Sequence, residues 1–475
     1  MNTINWAWLG SQAKINGITL FETLMIQKII KLFLAVSCLF TTASYAVLDL
    51  QLTQGVRGAI PIAIVPFSGQ SDAKSPDNVP TVINTDLQNS GRFSVMDTGS
   101  MTQTPHSASE VDFAYWQNQN QSNIVVGNIQ PAGGDRYRVT FQLLNAYANK
   151  ASANKKSSAP TWQSAVLLSN TFTANSSQLR SIAHHISDLI YENLTGDKGI
   201  FSTRIAYVVA QPAPDGRGGQ YSLEVSDMDG YNPKPLLKSG QPIMSPTWSF
   251  DGNQIAYVSF EGGEPAVYVQ DVYSGARHVL SKFDGLNSAP SWSPDGQKMA
   301  LVLTRTGYPK IFVMSVGSKQ LTQVTNGDSI DTEPVWSADG RFIYFTSNRS
   351  GGPQIYRTTQ SGGSAQRVTF EGKYNASPSL SPDGKTLAVL NGSSNAYNIA
   401  VQDIPTGRYN VLTQSGNDQS PSIAPNGKMV IYATQTGGRG VLAMVSTDGK
   451  VKITLPARQG DVREPAWGPF NRSSR

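Results

Sequence analysis

Cysteine and histidine are nearly absent from this chain of 475 residues. It contains one cysteine, Cys38, and four histidines, of which only His184 and His185 are neighbours. Such a sequence cannot build a disulfide framework or a zinc site from clustered Cys and His side chains. It also lacks a Gly-x-Ser-x-Gly elbow, a phosphate-binding loop and a His-Glu-x-x-His motif. These absences argue against the common hydrolase, nucleotide-binding and metalloprotease classes, and we expect no cofactor and no metal.

Charged side chains are also scarce, at 15% of the residues. The basic pair Lys155-Lys156 stands alone, without interleaved aromatic residues, so the sequence indicates no nucleic-acid-binding surface. The apolar run at residues 32–40 is too short to span a bilayer as a permanent helix. We therefore expect no transmembrane segment in the mature chain.

The same apolar run has the features of a cleaved secretory signal. Lysines precede it, and Ala43-Ser-Tyr-Ala46 places small residues where a signal peptidase reads them. We predict that residues 1–46 are a signal peptide cleaved after Ala46, with a core signal at 25–46 because Met25 is an alternative start. Cleavage removes three lysines, one glutamate and the only cysteine, which lowers the net charge from +5 to +3. The mature chain is then free of cysteine and suited to an oxidising periplasm.

What the sequence has in abundance is a repeat with a period of 43 or 44 residues. Each copy opens with Pro-x-Trp-Ser-x-Asp-Gly or a close variant, and the copies begin at Pro246, Pro290, Pro334, Pro378, Pro421 and Pro465. A period near 40–50 residues with four strand-like runs per unit is typical of a β-propeller. The repeated Trp indicates packing between neighbouring sheets, and the repeated Asp-Gly indicates a hairpin turn.

The two ends of the repeat array complement each other. A partial unit at residues 204–237 has runs for strands two, three and four but no first strand, while Pro465–Phe470 offers a first strand with no followers. Joining them makes a sixth blade and removes an exposed sheet edge. We predict a mainly β protein whose residues 201–475 form a six-bladed β-propeller closed by the C-terminal strand.

Residues 47–200 read as a smaller α+β domain in front of the propeller. The apolar period of 3.6 predicts a long helix from Ser177 to Leu194, stopped by Gly196. The remaining predicted elements are strands at 59–67, 93–96, 124–126, 137–144 and 162–172, helices at 78–87 and 111–117, and a hairpin loop at 149–160.

The loops that enter the first strand of each blade meet around the mouth of a propeller. Small residues around Met244 make a shallow apolar funnel there, which suits a loop or helix of another protein. An alternative is a metal-dependent hydrolase, if Glu333, Glu464, Asp331 and Asp418 converge at the mouth. A glycan-binding propeller is a third reading, but the six entry loops contain no aromatic residue to stack on a sugar.

Several stretches resemble the TolB family of periplasmic Tol-Pal proteins. They are Pro61-Ile-Ala-Ile-Val-Pro-Phe67, the junction from Leu194 to Val209, Ser226-Asp-Met-Asp-Gly-Tyr-Asn232, Met429-Val-Ile-Tyr432 and Val445-Ser-Thr-Asp-Gly449. The resemblance covers essentially everything after residue 47. It implies a non-enzymatic scaffold that supports outer-membrane integrity and its constriction at cell division, and whose mouth colicins exploit.

The resemblance also implies partners and sites. The mouth would bind the lipoprotein Pal, and other outer-membrane or peptidoglycan-associated proteins are further candidates. Carried over by position, or by their shared place in the entry loops, the predicted Pal-binding residues are Met244, Ser245, Leu286, Asn287, Ala289, Thr332, Glu333, Ser377, Ser420 and Glu464. Leu286 stands where relatives can carry a histidine, which predicts a more apolar contact.

The mature N-terminal tail would bind the C-terminal domain of TolA. The resemblance implies this role for Val47, Leu48, Asp49, Leu50, Gln51 and Leu52. Polar and apolar residues alternate through most of the tail, so it can add as a strand to the edge of a sheet. The resemblance also implies that the tail can bind its own body, with its release coupled to events at the mouth.

Overall fold

The computed structural model describes residues 49–52, 58–70, 78–148, 162–213, 219–393, 396–456 and 460–470. The predicted signal peptide with its cleavage site at Ala46, tail residues Val47 and Leu48, and the predicted loop at 149–160 lie outside these residues. No helix among the described residues is long and apolar enough to cross a membrane.

Among the described residues, six strands and four helices precede the propeller repeats. The strands are β1 (Asp49–Leu52), β2 (Ile60–Ile64), β3 (Phe93–Val95), β4 (Asn123–Pro131), β5 (Arg136–Asn145) and β6 (Val166–Asn175). The helices are α1 (Val79–Asn89), α2 (Phe113–Asn118), α3 (Trp162–Ala165) and α4 (Leu179–Thr195). One sheet has the order β3-β2-β4-β5-β6, parallel through β3, β2 and β4 and antiparallel from β4 to β6.

Helix α4 follows its prediction closely. Its apolar face is buried against the sheet and α1, and Gly196 ends it with a φ of 77°, a left-handed conformation that glycine adopts without steric cost. The strand predicted at 162–172 was wrong at its start, because Trp162–Ala165 forms the short helix α3. The regular alternation of half-buried and exposed residues begins only at Val166.

The repeats form six sheets arranged as the blades of a propeller. Blades 1 to 3 contain β10 (Ile243–Trp248), β11 (Gln254–Ser259), β12 (Ala266–Asp271) and β13 (Arg277–Ser281); β14 (Asn287–Trp292), β15 (Lys298–Leu303), β16 (Lys310–Ser315) and β17 (Leu321–Gln323); and β18 (Asp331–Trp336), β19 (Phe342–Ser347), β20 (Gln354–Thr359) and β21 (Gln366–Arg367). Blades 4 and 5 contain β22 (Tyr374–Leu380), β23 (Thr386–Ser393), β24 (Ala396–Asp403) and β25 (Tyr409–Val411); and β26 (Gln419–Ile423), β27 (Met429–Thr436), β28 (Arg439–Ser446) and β29 (Val451–Thr454).

Blade 6 is assembled from both ends of the propeller sequence, as predicted. It contains β7 (Arg204–Pro212), β8 (Gly219–Asp227), β9 (Lys234–Ser239) and the C-terminal strand β30 (Asp461–Trp467). The strand β30 pairs with β7 in antiparallel register, from Asp461 opposite Ala210 to Trp467 opposite Ile205. The closing strand begins four residues before the predicted Pro465 and ends at Trp467, where the indole nitrogen donates to Thr203 Oγ1 at 2.9 Å.

The repeated Trp and Asp-Gly positions are structural. Trp336 in blade 3 donates from Nε1 to the carbonyl of Ser291 in blade 2 at 3.0 Å, so the indole joins adjacent blades. In the turns, Ser249 Oγ donates to Asp251 at 2.6 Å, and Gly252 follows with a φ of 72°. The same serine–aspartate bond recurs in blades 2 to 4.

A buried charged cluster holds the α+β domain on blade 6. His184 of α4 is 2.8 Å from Asp86 of α1 through Nδ1, and its Nε2 faces Asp229 of blade 6 at 3.9 Å. Burial by itself lowers the pKa of His184, but the two carboxylates outweigh it and raise the pKa to about 9. His184 is therefore an imidazolium at neutral pH.

Arg180, one turn before His184, completes this cluster. Its guanidinium forms an ion pair with Asp229, lies 3.7 Å from Asp227 and stacks 3.9 Å from the ring centre of Tyr231. The ligand atoms of His184, Asp227 and Asp229 lie close enough to hold a metal ion. However, Arg180 already neutralises these carboxylates, so we assign the cluster to domain docking.

Candidate functional site

Six residues at equivalent positions form a ring at the centre of the propeller. Each lies in the innermost strand of its blade and has a φ between 44° and 54°. The ring residues are Ser245, Ala289, Glu333, Ser377, Ser420 and Glu464. In every innermost strand the pairing register shifts at this position, which marks a β-bulge.

The proline of each repeat explains where the bulges occur. It directly follows the ring residue and has no N–H to donate to the ladder, so regular pairing is interrupted at that point. A left-handed conformation costs a non-glycine residue roughly 1–2 kcal/mol. Six such positions in one ring are typical of strain retained at a functional site.

Two of the ring residues are carboxylates that lie three blades apart. Glu333 accepts hydrogen bonds from the backbone N–H of Ser377 at 2.8 Å and from Thr346 Oγ1 at 2.7 Å. Glu464 accepts the N–H of Ser245. Burial raises the pKa of Glu464, and the charge of Glu333 across the ring adds to the increase. Each carboxylate thus ties its blade to the next and places an acidic group at the mouth.

The other predicted mouth residues differ in their access to a partner. Met244 is the most open, with 42% of its surface exposed, while Thr332 is half-buried beside the ring. Leu286 is also half-buried and packs with Ala289 against the core between blades 2 and 3. The remaining ring serines, Ser377 and Ser420, are half-buried.

Asn287 is the one predicted contact residue that the structure reassigns. Its side chain is fully buried, accepts from Ser281 Oγ and the N–H of Phe283, and donates to the carbonyl of Phe283. It holds its own entry loop and does not face the mouth. The buried polar side chains of Asp331, Asn375 and Asp418 occupy the equivalent position in blades 3 to 5.

Burial at this position excludes two of the four acidic residues, Asp331 and Asp418, from the metal site considered for the mouth. Asp331 is buried among Lys310, Arg349 and Ser347, at 3.0, 3.0 and 2.6 Å. Asp418 is buried and bonded to Thr413 and Ser415. Only Glu333 and Glu464 of the four acidic residues line the channel.

The channel behind the ring has a volume of about 910 Å³. At the end where the innermost strands finish, its lining includes Phe250, Phe470, and the α4 residues His185 and Leu189. The α+β domain therefore lies over one end of the channel, and the ring surrounds the other end.

The tail has a resting place on the propeller. Strand β1 pairs antiparallel with β29, from Asp49 opposite Thr454 to Leu52 opposite Val451, and becomes the fifth strand of blade 5. The segment predicted to bind a partner as a strand is thus already paired as a strand with its own body.

The structure also reveals exposed aromatic residues that the sequence reasoning did not single out. Tyr308, Phe370 and Tyr397 lie on the mouth face, in loops and hairpins next to the ring, and are 48%, 69% and 39% exposed. The entry loops themselves contain no aromatic residue, but their neighbours do. A comparison of equivalent hairpin positions between repeats could have found them.

The fold and the ring together define the class of protein. It is an α+β domain joined to a closed six-bladed propeller, with β-bulges and two acidic residues in the ring at the mouth. Comparison with known families agrees in both parts. Residues 48–152 match the TolB amino-terminal domain, and residues 191–471 match the TolB beta propeller domain.

Similar proteins narrow the assignment further. The Tol-Pal system protein TolB of Coxiella burnetii is 61% identical over 433 residues, covering 91% of this chain and 96% of that protein. The protein of the same name from Thioalkalivibrio sulfidiphilus is 54% identical over 93% of this chain and 98% of its own length. The crystal structure of TolB from Acinetobacter baumannii covers 89% of this chain and all of its own, with 40% identity and a TM-score of 0.77. The chain belongs to the TolB family.

Proposed function

We propose that this protein is a non-enzymatic interaction scaffold of the Tol-Pal system in the periplasm of a Gram-negative bacterium. Its propeller mouth binds Pal, and its N-terminal tail binds the C-terminal domain of TolA. Through these contacts it maintains the outer membrane and its constriction during division, and the mouth is also the site open to colicins. The observation that carries the proposal is the ring of six strained positions at the mouth.

The chemistry of the mouth supports a protein ligand. Four of the six ring residues are small, Met244 adds an exposed apolar side chain, and Glu333 and Glu464 add negative charge. Protein interfaces combine apolar and charged side chains in this way. Small ring residues also leave room for an inserted loop or helix.

Binding of the soluble domain of Pal, measured by calorimetry, tests the mouth. Met244→Ala should weaken binding about tenfold, because it removes an exposed apolar anchor. Phe250→Ala is the matched control, since Phe250 is a similarly exposed apolar residue at the opposite end of the channel. Equal effects of the two substitutions, or none from either, would contradict binding at the mouth.

Charge at the ring gives a second, independent test. Glu333→Lys should weaken Pal binding, while Glu333→Gln keeps the acceptor for Ser377 and separates loss of charge from loss of the loop contact. An unchanged affinity of the Glu333→Lys variant for Pal would show that Glu333 is not part of the binding surface.

The tail supports a switch in which TolA competes with β29. Pairing with β29 occupies the backbone groups on one edge of the strand at residues 49–52, and in this switch TolA binds that same edge. Deleting residues 47–52 should abolish TolA binding and leave Pal binding intact. A chain with a Gly-Ser segment of equal length at 47–52 controls for the loss of length. Retained TolA affinity in the deleted protein would refute this role of the tail.

The proposed location in the periplasm depends on residues 1–46 acting as a cleaved signal peptide. Mature protein purified from the envelope should begin at Val47, as measured by N-terminal sequencing. Material from the envelope that still carries residues 25–46 would contradict cleavage after Ala46.

A further inference from the structure

Three Asn-Gly pairs occur in the chain after residue 46, and the structure places them in different surroundings. They are Asn326-Gly327, Asn391-Gly392 and Asn426-Gly427. An asparagine followed by glycine is prone to deamidation, because glycine has no side chain to keep its backbone nitrogen away from the asparagine carboxamide. Whether the reaction occurs in a folded protein depends on how firmly each pair is held.

Asn426-Gly427 is held at each of the groups that the reaction uses. Asn426 Nδ2 donates to the carbonyl of Lys198 at 3.0 Å, and Asn426 Oδ1 accepts from the N–H of Lys428 at 3.0 Å. The N–H of Gly427 donates to the carbonyl of Ala424 at 2.8 Å. Attack of the Gly427 nitrogen on the Asn426 carboxamide would break all three hydrogen bonds.

Asn391-Gly392 is held by a sheet. Both residues lie in β23 and are paired with β22 on one side and with β24 on the other. The side chain of Asn391 is buried, and its Nδ2 donates to the carbonyl of Tyr374 at 3.3 Å. The sheet keeps this backbone extended, whereas the reaction needs the carboxamide to turn back onto the next nitrogen.

Asn326-Gly327 lies at the tip of the loop from β17 to β18 and is not held. Asn326, Gly327 and Asp328 are all exposed. Neither Asn326 nor Gly327 forms a hydrogen bond with another of the described residues. Gly327 has a φ of 89°, and the space beside its Cα is open. The carboxamide of Asn326 is therefore free to approach the Gly327 nitrogen.

The two ends of this loop are fixed, so the freedom is confined to its tip. On one side, Thr325 is buried and its Oγ1 accepts from the N–H of Ile311 at 3.0 Å. On the other side, the buried Lys310 donates to Ser329 Oγ at 3.1 Å. The tip can change conformation while the blade keeps its strands paired.

We propose that Asn326 is a site of spontaneous deamidation in the folded protein. The nitrogen of Gly327 attacks Cγ of Asn326 and forms a carbon–nitrogen bond, and the carboxamide nitrogen leaves as ammonia with the Gly327 proton. Water then opens the succinimide ring at either carbonyl, which leaves aspartate or isoaspartate in place of the asparagine. The reaction needs water alone and no enzyme, oxidant or cofactor.

The modification changes the charge of one entry loop. A carboxylate replaces the amide of Asn326, two residues before Asp328 and seven before the ring residue Glu333. Isoaspartate also lengthens the backbone of the loop tip by one carbon. The loop that enters blade 3 thus gains negative charge as the molecule ages, whichever partner the protein binds.

Peptide mass spectrometry of the purified mature protein, incubated in neutral buffer for several weeks, tests the proposal. Asn326 should convert about a hundredfold faster than Asn426, because three hydrogen bonds hold the second pair and each slows the reaction by a factor of roughly five. Asn391 should stay unmodified over the same period. In urea-unfolded protein the three pairs should convert at similar rates, which separates the effect of the fold from that of the dipeptide.

Asn326→Gln is the matched variant, and isoelectric focusing is the second readout. An acidic species should accumulate in the unsubstituted protein and should be much reduced in this variant, with circular dichroism showing that both are folded. Equal conversion of the three pairs in the folded protein would overturn the proposal. So would an unmodified Asn326 in folded protein whose unfolded control converts, or an acidic species that forms equally fast in Asn326→Gln.

Discussion

Replacing His184 with glutamine tests whether the docking of the α+β domain depends on a buried imidazolium. The folded protein raises the pKa of His184 from 6.5 to about 9, chiefly because Asp86 and Asp229 offset the effect of burial. A group whose folded pKa is raised contributes stability that is complete below the unfolded pKa and is lost as pH rises through the folded pKa. The contribution is therefore complete below about pH 6.5 and lost by about pH 9.

The size of this effect follows from the pKa values. At 1.36 kcal/mol per pKa unit, the rise from 6.5 to about 9 corresponds to about 3 kcal/mol. Between pH 6 and pH 9 the free energy of unfolding of the unsubstituted protein should fall by about that amount more than it does for His184→Gln. At pH 6 the variant should be the less stable of the two, and at pH 9 the gap should nearly close.

Urea unfolding at pH 6, 7.5 and 9, followed by circular dichroism, measures the difference. His278→Gln is the control, since His278 is an exposed histidine on blade 1. If the gap between the unsubstituted protein and His184→Gln is the same at every pH, the imidazolium does not hold the domains together. A stability difference between the two proteins that widens at high pH would mean that neutral, not protonated, His184 stabilises the fold.

Three further predictions concern the propeller and the domain contact. Truncation before Asp461 removes β30 and exposes the edge of β7, so the calorimetric melting temperature should fall by several degrees or more; an unchanged value would contradict closure. Trp336→Phe should lower the free energy of unfolding in urea by about 1 kcal/mol, because it removes the hydrogen bond to Ser291. Trp292→Phe should lower it by less, because Trp292 Nε1 has no hydrogen-bond partner among the described residues. Equal losses in the two variants would contradict this role of the indole N–H. Gly91→Ala should destabilise more than Gly133→Ala: both have positive φ, but only at Gly91 would a Cβ collide, 2.0 Å from Val451 Cγ2. Equal losses of stability in the two variants would show that the contact between Gly91 and Val451 can rearrange to accept a Cβ.

The architecture could be predicted because each repeat carries its own local signals. Pro246, Asp251 and Gly252 recur at a fixed period, so the blade count follows from spacing, and the incomplete units at both ends predict closure. Local signals also located α4 and its end at Gly196. They failed at Trp162, where four residues form a helical turn before the strand begins.

The details of the site depended on contacts that no local pattern reveals. Asn287 lies in an entry loop like any contact residue, and only the fold shows that its side chain turns inward to Ser281. The docking cluster joins Asp86, His184 and Asp229, which are far apart in sequence. The pairing of β1 with β29 could not be predicted either, because it depends on which blade leaves its outer strand open next to the tail.

Hydrogen exchange measured by mass spectrometry on the mature protein, with and without the soluble domain of Pal, shows which end of the propeller channel contacts the partner. We predict slower exchange in the segments that connect each blade to the next innermost strand, at 282–289, 326–333 and 370–377, when Pal is bound. We predict no change in the Asp-Gly turns at the opposite end of the channel, such as 249–252 and 293–296. Protection confined to those turns or to the α+β domain would contradict a mouth that binds its partner through the ring.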